Sequence, residues 1–182
     1  DKIVKSTPHA TEKERKRMDK LAMSIILTAQ GKPFVHGGEE MLRTKPNPER
    51  GEGVDPNSYN SSDFTNQIDW SRKEKYKDIF RYYQGLIKLR KQHKVFRMET
   101  MEQIKSGLNF LTPGIDYVVG FRLTHPQEKW EEVVVIHNAN REQQTISAPG
   151  ISSDWQVVVD GEQAGVKTLT DTEVEVREGE VV

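Results

Sequence analysis

The residues best equipped for chemistry crowd into one stretch, Gly31 to Trp70. Its second half carries Asn57, Tyr59, Asn60 and Asp63, and Arg43 precedes them. Planar amide, carboxylate and guanidinium groups pair with hydroxyls, and an aromatic ring stacks on the apolar face of a sugar. On one loop, these five residues form a binding wall for a hydroxyl-rich ligand. The plainer use of Asn, Ser and Asp is turn formation. Glu39 and Glu40 invite a catalytic reading as paired carboxylates, but adjacent residues on a strand or turn point apart. The expectation is that one pairs with Arg43 or a group elsewhere while the other faces solvent. His36 beside them lacks the second helical histidine that a metal site of this type needs. A packed, hydrogen-bonded histidine is expected there, with no metal and no cofactor.

The flanking elements must hold that stretch. Thr11, with Glu14 three residues later, predicts a capped helix running to Gln30. Met18, Leu21, Ala22, Ile25 and Ala29 recur at helical spacing, and Ile26 widens the stripe. Gly31 is a natural stop and Pro33 forbids continuation. Lys32 to His36 reads as a very short strand, and Gly37-Gly38 as a sharp turn. Glu39 to Thr44 can make a turn of helix. Lys45 to Asn66 is a long irregular loop punctuated by Pro46, Pro48, Gly51, Gly53 and Pro56, and a loop of that length is usually functional or disordered. The aromatic and amide residues of its second half argue for order. Asp69-Trp70 closes it, with Trp70 expected to cover the next helix and Asp69 to bond the backbone near Ser71.

Ser71 and Glu74 predict the cap of a second long helix. Its inner face is marked by Tyr76, Ile79, Phe80, Tyr83, Leu86, Ile87 and Arg90. It ends near His93, with Phe96 tucked beneath. The basic run Lys88 to Lys94 fits a solvated face at a helix C-terminus. From Thr100 the period becomes that of strands: Val118–Leu123, Glu132–Asn138, Thr145–Ala148, Trp155–Asp160 and Glu173–Arg177, separated by turn signals. Trp155 reads as core, and Trp130, in a polar turn, as a candidate exposed platform.

The fold class that follows is α/β plus all-β, with a boundary near residue 97. A helix–strand–helix unit cannot make a parallel sheet without neighbours on both sides, so residues 1–97 read as part of a larger α/β domain whose other strands precede Asp1. Residues 98–182 read as a small antiparallel β-sandwich that lacks its last strand. Twenty-seven Lys and Arg against 28 Asp and Glu give a net charge of −1, so no nucleic-acid or anionic-membrane partner is expected. The absence of cysteine excludes disulfides and thiolate metal sites without naming a compartment.

Four segments together carry a resemblance. GKPFVHGGEEMLRTK (Gly31 to Lys45), NSYNSSDFTNQIDW (Asn57 to Trp70), YYQGLIKLRKQHKVFRM (Tyr82 to Met98) and VVVIHNAN (Val133 to Asn140) resemble, in order and spacing, the C-terminal part of type I pullulanases, in family 13 of the glycoside hydrolases. The resemblance implies the C-terminal end of a catalytic (β/α)8 barrel followed by a β-sandwich. The first long helix would be the seventh of the barrel, Phe34 to His36 its eighth strand and Arg72 to His93 its eighth helix. It also implies hydrolysis of α-1,6 linkages in pullulan, amylopectin or limit dextrins by a retaining mechanism. That mechanism uses two carboxyl groups roughly 5 Å apart. In the family both lie on earlier strands, upstream of Asp1, and Asp1 matches neither them nor the third Asp. The implied partners are an α-glucan and the rest of the same barrel, with Arg43, Asn57, Tyr59, Asn60 and Asp63 shaping the glucan subsites. The segment alone would be inactive. Two further readings are a non-catalytic carbohydrate-binding or scaffolding piece, and a related isoamylase or glycogen debranching enzyme.

Overall fold

Thr11 caps the first long helix as expected. Its hydroxyl accepts from the Glu14 N–H at 3.2 Å while the Glu14 carboxylate accepts from the Thr11 N–H at 2.7 Å. In the computed structural model, which describes residues 2–47 and 53–182, this helix is α2, Glu12–Thr28, preceded by α1, Lys2–Ser6. Asp1, Pro48 and Gly51 lie outside the described residues.

Helix α2 packs on the second long helix through Met23, Leu27, Tyr76, Ile79, Tyr82, Tyr83 and Leu86. The buried face is therefore rotated from the predicted stripe. Ile25, Ile26 and Ile87 stay 40–46% exposed, while Lys20, Ser24 and Thr28 are buried. Helix α2 is apolar on two sides, and only one of them meets a partner among the described residues. Arg90 is buried at the crossing. It donates to the carbonyls of Leu27 (2.8 Å), Ala29 (2.7 Å) and Gly31 (2.5 Å), the groups that a helix C-terminus leaves unsatisfied.

The entry to the second helix differs from expectation. Ser71 has helical torsions and makes no cap; Asp69 accepts from both its N–H (3.0 Å) and its hydroxyl (2.6 Å). Those bonds hold the Asp69 carboxyl below its usual range. Of the short helices, α3 is Asp63–Asn66 and α4 is Arg72–Lys75; α4 breaks at Tyr76 before α5, Lys77–Gln92. Trp70 is 67% exposed and does not cover the helix. Lys32–His36 is extended but is not a strand, and Phe34 is 84% exposed. A strand needs a backbone neighbour, and none lies beside this segment among the described residues.

The second half starts with a helix where strands were expected. α6, Met101–Gly107, follows a full capping box in which Thr100 pairs with Gln103. An antiparallel sheet follows, with order β3-β4-β5 (Leu108–Phe110, Val118–Leu123, Val133–Asn138). A second small sheet pairs β6, β8 and β7 (Ile146–Ser147, Glu180–Val181, Val176–Arg177). Trp155–Asp160 is not a strand; only a bridge from Val159 to Ala164 remains. The architecture is thus a mixture of helices with small antiparallel sheets.

The two halves share a core. Trp130 is half-buried, stacked on His93 at 3.6 Å, and so is not a free platform. His93 also meets Glu128 at 2.9 Å. Trp155 is likewise half-buried. Phe96 and Val95 are fully enclosed with Phe121 and Leu123. Tyr82 donates to the Asp160 carbonyl (3.0 Å), and Lys20, 2% exposed, pairs with Glu162 (2.7 Å). A Cβ on Gly85 would stand 1.9 Å from the Ala164 carbonyl oxygen, so only glycine allows that approach. His137, buried on β5, sits 3.3 Å from the Ser24 hydroxyl and 3.1 Å from that of Thr28.

Burial pushes His137 down to about 4 and Asp19, partly buried against Tyr83, up to about 6. The signs oppose. Unfolded His137 takes up a proton near pH 6.5 that the folded ring refuses until about pH 4, so stability is lost as pH falls through that window. Folded Asp19 holds a proton that the unfolded chain releases near pH 4, so its contribution is lost as pH rises from 4 to 6. Each effect is on the order of 3 kcal/mol at most. Urea unfolding of the unaltered chain should be nearly flat between pH 4 and 6. Asp19→Asn should make stability climb with pH there, and His137→Gln should make it fall. Arg90→Met should cost about 3 kcal/mol, since it strands buried carbonyls, and Arg90→Lys should recover only part.

Candidate functional site

The chain leaves α2 through Gly31 and turns at Gly38, whose φ of +97° is left-handed. A Cβ at Gly38 would lie 2.7 Å from the Arg43 side chain, so glycine is required twice over. A single 3-10 turn, Glu39–Met41, follows, anchored by fully buried Met41. The two glutamates do not pair with Arg43. The exposed Glu39 carboxylate accepts from the His36 N–H (3.3 Å), and the half-buried Glu40 from the Gly38 N–H (2.9 Å). Each is occupied with the backbone of its own turn, a local bond that i±2 and i±3 spacing favours. The His36 side chain is exposed, not packed.

Arg43 donates to the Gly37 carbonyl at 3.3 Å and to the Asn66 carbonyl. Its guanidinium joins the start of the loop to its end. Arg72 reinforces the same corner by donating to the carbonyls of Met41 and Leu42.

The loop itself is built around Asp55, 8% exposed. Its carboxylate accepts from Asn47 Nδ2 (2.9 Å), the Ser61 hydroxyl (2.6 Å) and the Asn57 N–H (2.9 Å). Two short strands, β1 (Pro46–Asn47) and β2 (Gly53–Val54), pair beside it. Asn66 Nδ2 donates to the carbonyls of Ser58 (2.7 Å) and Ser61 (3.1 Å), and the buried Thr65 hydroxyl donates to Pro46 (2.9 Å). Lys45 reaches the Ser58 hydroxyl at 2.7 Å. The expected order is present, and polar bonds rather than apolar packing create it.

Those inward bonds leave an outward set. Tyr59 is 84% exposed and Phe64 56% exposed. The side chains of Asn57, Asn60 and Asp63 are exposed on the same loop. Of the five residues singled out from sequence, four are presented to solvent together, and Arg43 serves the frame. Sequence reasoning missed Asp55, Ser58 and Asn66 as the framework. The signal for Asp55 was its place in Asp-Pro-Asn, where a carboxylate commonly accepts from the N–H two residues on. Among the described residues, no cluster of His, Asp and Glu is suited to a metal, and no helix is long and apolar enough to cross a membrane.

Known proteins share this arrangement. The family model "Pullulanase, all-beta domain" matches residues 104–163. A pullulanase from Bacillus acidopullulyticus superposes with a TM-score of 0.85 at 42% identity, over 98% of this chain and 20% of that one. The chain belongs to the pullulanase family. A pullulanase of Bacillus subtilis strain 168 is 39% identical over 142 residues, which is 77% of this chain and 19% of that protein. The structure of pullulanase type I from that organism, complexed with maltose, matches with a TM-score of 0.77 at 30% identity, over 96% of this chain and 24% of that one. A Paenibacillus barengoltzii pullulanase, in complex with maltohexaose and α-cyclodextrin, matches at 37% identity with a TM-score of 0.75, over 83% of this chain and 22% of that one. The chain spans about a fifth of the length of the pullulanases it matches.

The division between frame and surface has measurable consequences for this pullulanase segment. Asp55→Ala should lower its unfolding free energy by about 3 kcal/mol, because three donors lose one buried acceptor. Tyr59→Ala and Asn60→Ala should change it by less than about 0.5 kcal/mol. Comparable losses in all three variants would mean that the outward residues also hold the loop.

Proposed function

We propose that this chain is the C-terminal part of a debranching α-glucan hydrolase, in which residues 1–97 complete a (β/α)8 barrel and residues 98–182 form the β-domain that follows it. The enzyme hydrolyses α-1,6-glucosidic linkages in pullulan, amylopectin or related glucans, with retention. Its nucleophile and general acid lie in the portion of the protein that this chain does not contain. The chain contributes one wall of the sugar cleft.

The observation that carries this reading is the outward display of Asn57, Tyr59, Asn60 and Asp63 over the rigid Asp55 frame. A ring face for stacking, two amides and a carboxylate on a preorganised surface suit successive pyranose units. The complexes of related pullulanases with malto-oligosaccharides support the same ligand class. The barrel placement draws support from the unpaired extended segment Lys32–His36 and from the exposure of Phe34, Ile25, Ile26 and Trp70. Each suits contact with further strands and helices of the same enzyme. A purely non-catalytic role on a β-domain tryptophan has less support, since Trp130 already stacks on His93. The family names also favour a pullulanase over an isoamylase.

The test uses a full-length pullulanase containing this segment. Tyr59→Ala and Asn60→Ala should each lower kcat/KM on pullulan about tenfold without moving the thermal midpoint. Unchanged kinetics in both would take the loop out of the cleft. The 182-residue chain alone should release no reducing sugar from pullulan. Residues 1–97 expressed alone should not unfold cooperatively; a sharp thermal transition for that piece as a monomer would count against the barrel placement.

A further inference from the structure

A second aromatic side chain is displayed on a rigid support, far along the chain from the loop just described. Tyr117, at the foot of β4, is 77% exposed and has a φ of +61°. The left-handed region is unfavourable for a bulky side chain, whose Cβ crowds the carbonyl. Such strain persists where the surroundings impose it, and it clusters at ligand-binding positions. Here the imposing contacts are explicit. Tyr117 accepts from the Ala139 N–H at 3.0 Å through its carbonyl. The carbonyl of Asp116 accepts from Asn140 Nδ2 at 2.9 Å, and Asn138 Oδ1 accepts from both Asn140 N–H (2.9 Å) and Nδ2 (3.0 Å). Asn138 Nδ2 donates in turn to the Glu142 carbonyl at 3.2 Å. The bonds fix the backbone, yet the ring that bears the strain is left in solvent.

The groups around the ring are polar and outward. The register places Asp116 and Tyr117 beside Ala139, Asn140 and Arg141. Asp116 is exposed, and the Arg141 side chain is 75% exposed, with only a long contact of 3.7 Å to Glu14. A ring face bordered by a carboxylate, an amide and a guanidinium is the same chemical kit as the Tyr59 loop. Val119, two residues along β4, is half exposed and extends the apolar floor.

We propose that Tyr117, with Asp116, Asn140 and Arg141, forms a second carbohydrate-binding site on the β-domain, which stacks a pyranose unit of an α-glucan chain. The choice of an α-glucan over other pyranosides rests on the function proposed above; the stacking site rests on the geometry alone. Separate from the cleft, it would hold polymer without taking part in hydrolysis, and its effect would be greater on amylopectin than on a short oligosaccharide, because two attachment points act together only on a long chain.

The test is affinity electrophoresis of the full 182-residue chain in gels containing amylopectin, with thermal midpoints measured alongside. The unaltered chain and Tyr117→Phe should both be retarded. Tyr117→Gly should weaken binding about tenfold and at the same time raise the thermal midpoint, because glycine adopts this φ without strain. Tyr59→Ala serves as the reference for the cleft loop. Retardation that survives Tyr117→Gly but disappears in Tyr59→Ala would overturn the second site while leaving the proposed function standing. A lower midpoint for Tyr117→Gly would overturn it as well, since the ring would then be packing rather than binding. Absence of retardation of the unaltered chain would do the same, and pullulan hydrolysis by the full-length enzyme would still report on the proposed function separately.

Discussion

The end of α2 is held by one guanidinium. A helix terminus leaves carbonyls without partners, and α2 stops with Ala29 in an extended conformation beneath the chain that continues from it. Arg90 answers with donors to Leu27, Ala29 and Gly31, a reach that a planar fork allows and a single ammonium does not. Its positive charge also sits at the negative end of the helix. The same junction fastens the second half of the chain. Gln30 donates to the Val95 carbonyl and accepts from the Met98 N–H, while Arg97 donates to the carbonyls of Arg90 and Lys91. Everything after Gly31 leaves from a point that Arg90 sets.

The functional loop follows a related logic at smaller scale. It has little apolar surface to bury, so its order comes from the Asp55 carboxylate and from Asn66, each collecting several local partners. A hydrogen bond contributes modestly on balance, whereas an unpaired buried group costs more. A small network of this kind is therefore stable only when it is complete. Completeness on the inside releases the outward residues from structural duty, and they become available for a ligand. Tyr117 follows the same rule, with Asn138 and Asn140 doing the holding.

Much of the organisation was legible in the residues. The capping box at Thr11, the inner face of α5 including Arg90, the central strands Val118–Leu123 and Val133–Asn138, and the ordered second half of the loop follow from local patterns. Local patterns were less reliable where two readings compete. Thr100-x-x-Gln103 is a helix start that a nearby run of β-formers obscured, and Ser71 resembles a cap whose work Asp69 does. The stripe on α2 was misjudged because that helix is apolar on two sides, and periodicity does not say which side finds a neighbour.

What the sequence determined by itself is what depends on near neighbours along the chain: helix starts, turn glycines, alternating strands and the concentration of sugar-compatible side chains between Asn57 and Asp63. Tertiary structure decided the division of labour among them. Arg43, read as a ligand contact, became a strut between Gly37 and Asn66, and Trp130, read as a platform, was taken by His93. It also left Tyr117 facing solvent at a positive φ and put the unnoticed Asp55 at the centre of the loop. The physical reason is common to all four. A polar or aromatic side chain has several adequate partners, and which one it meets is set by residues brought close only when the chain has folded.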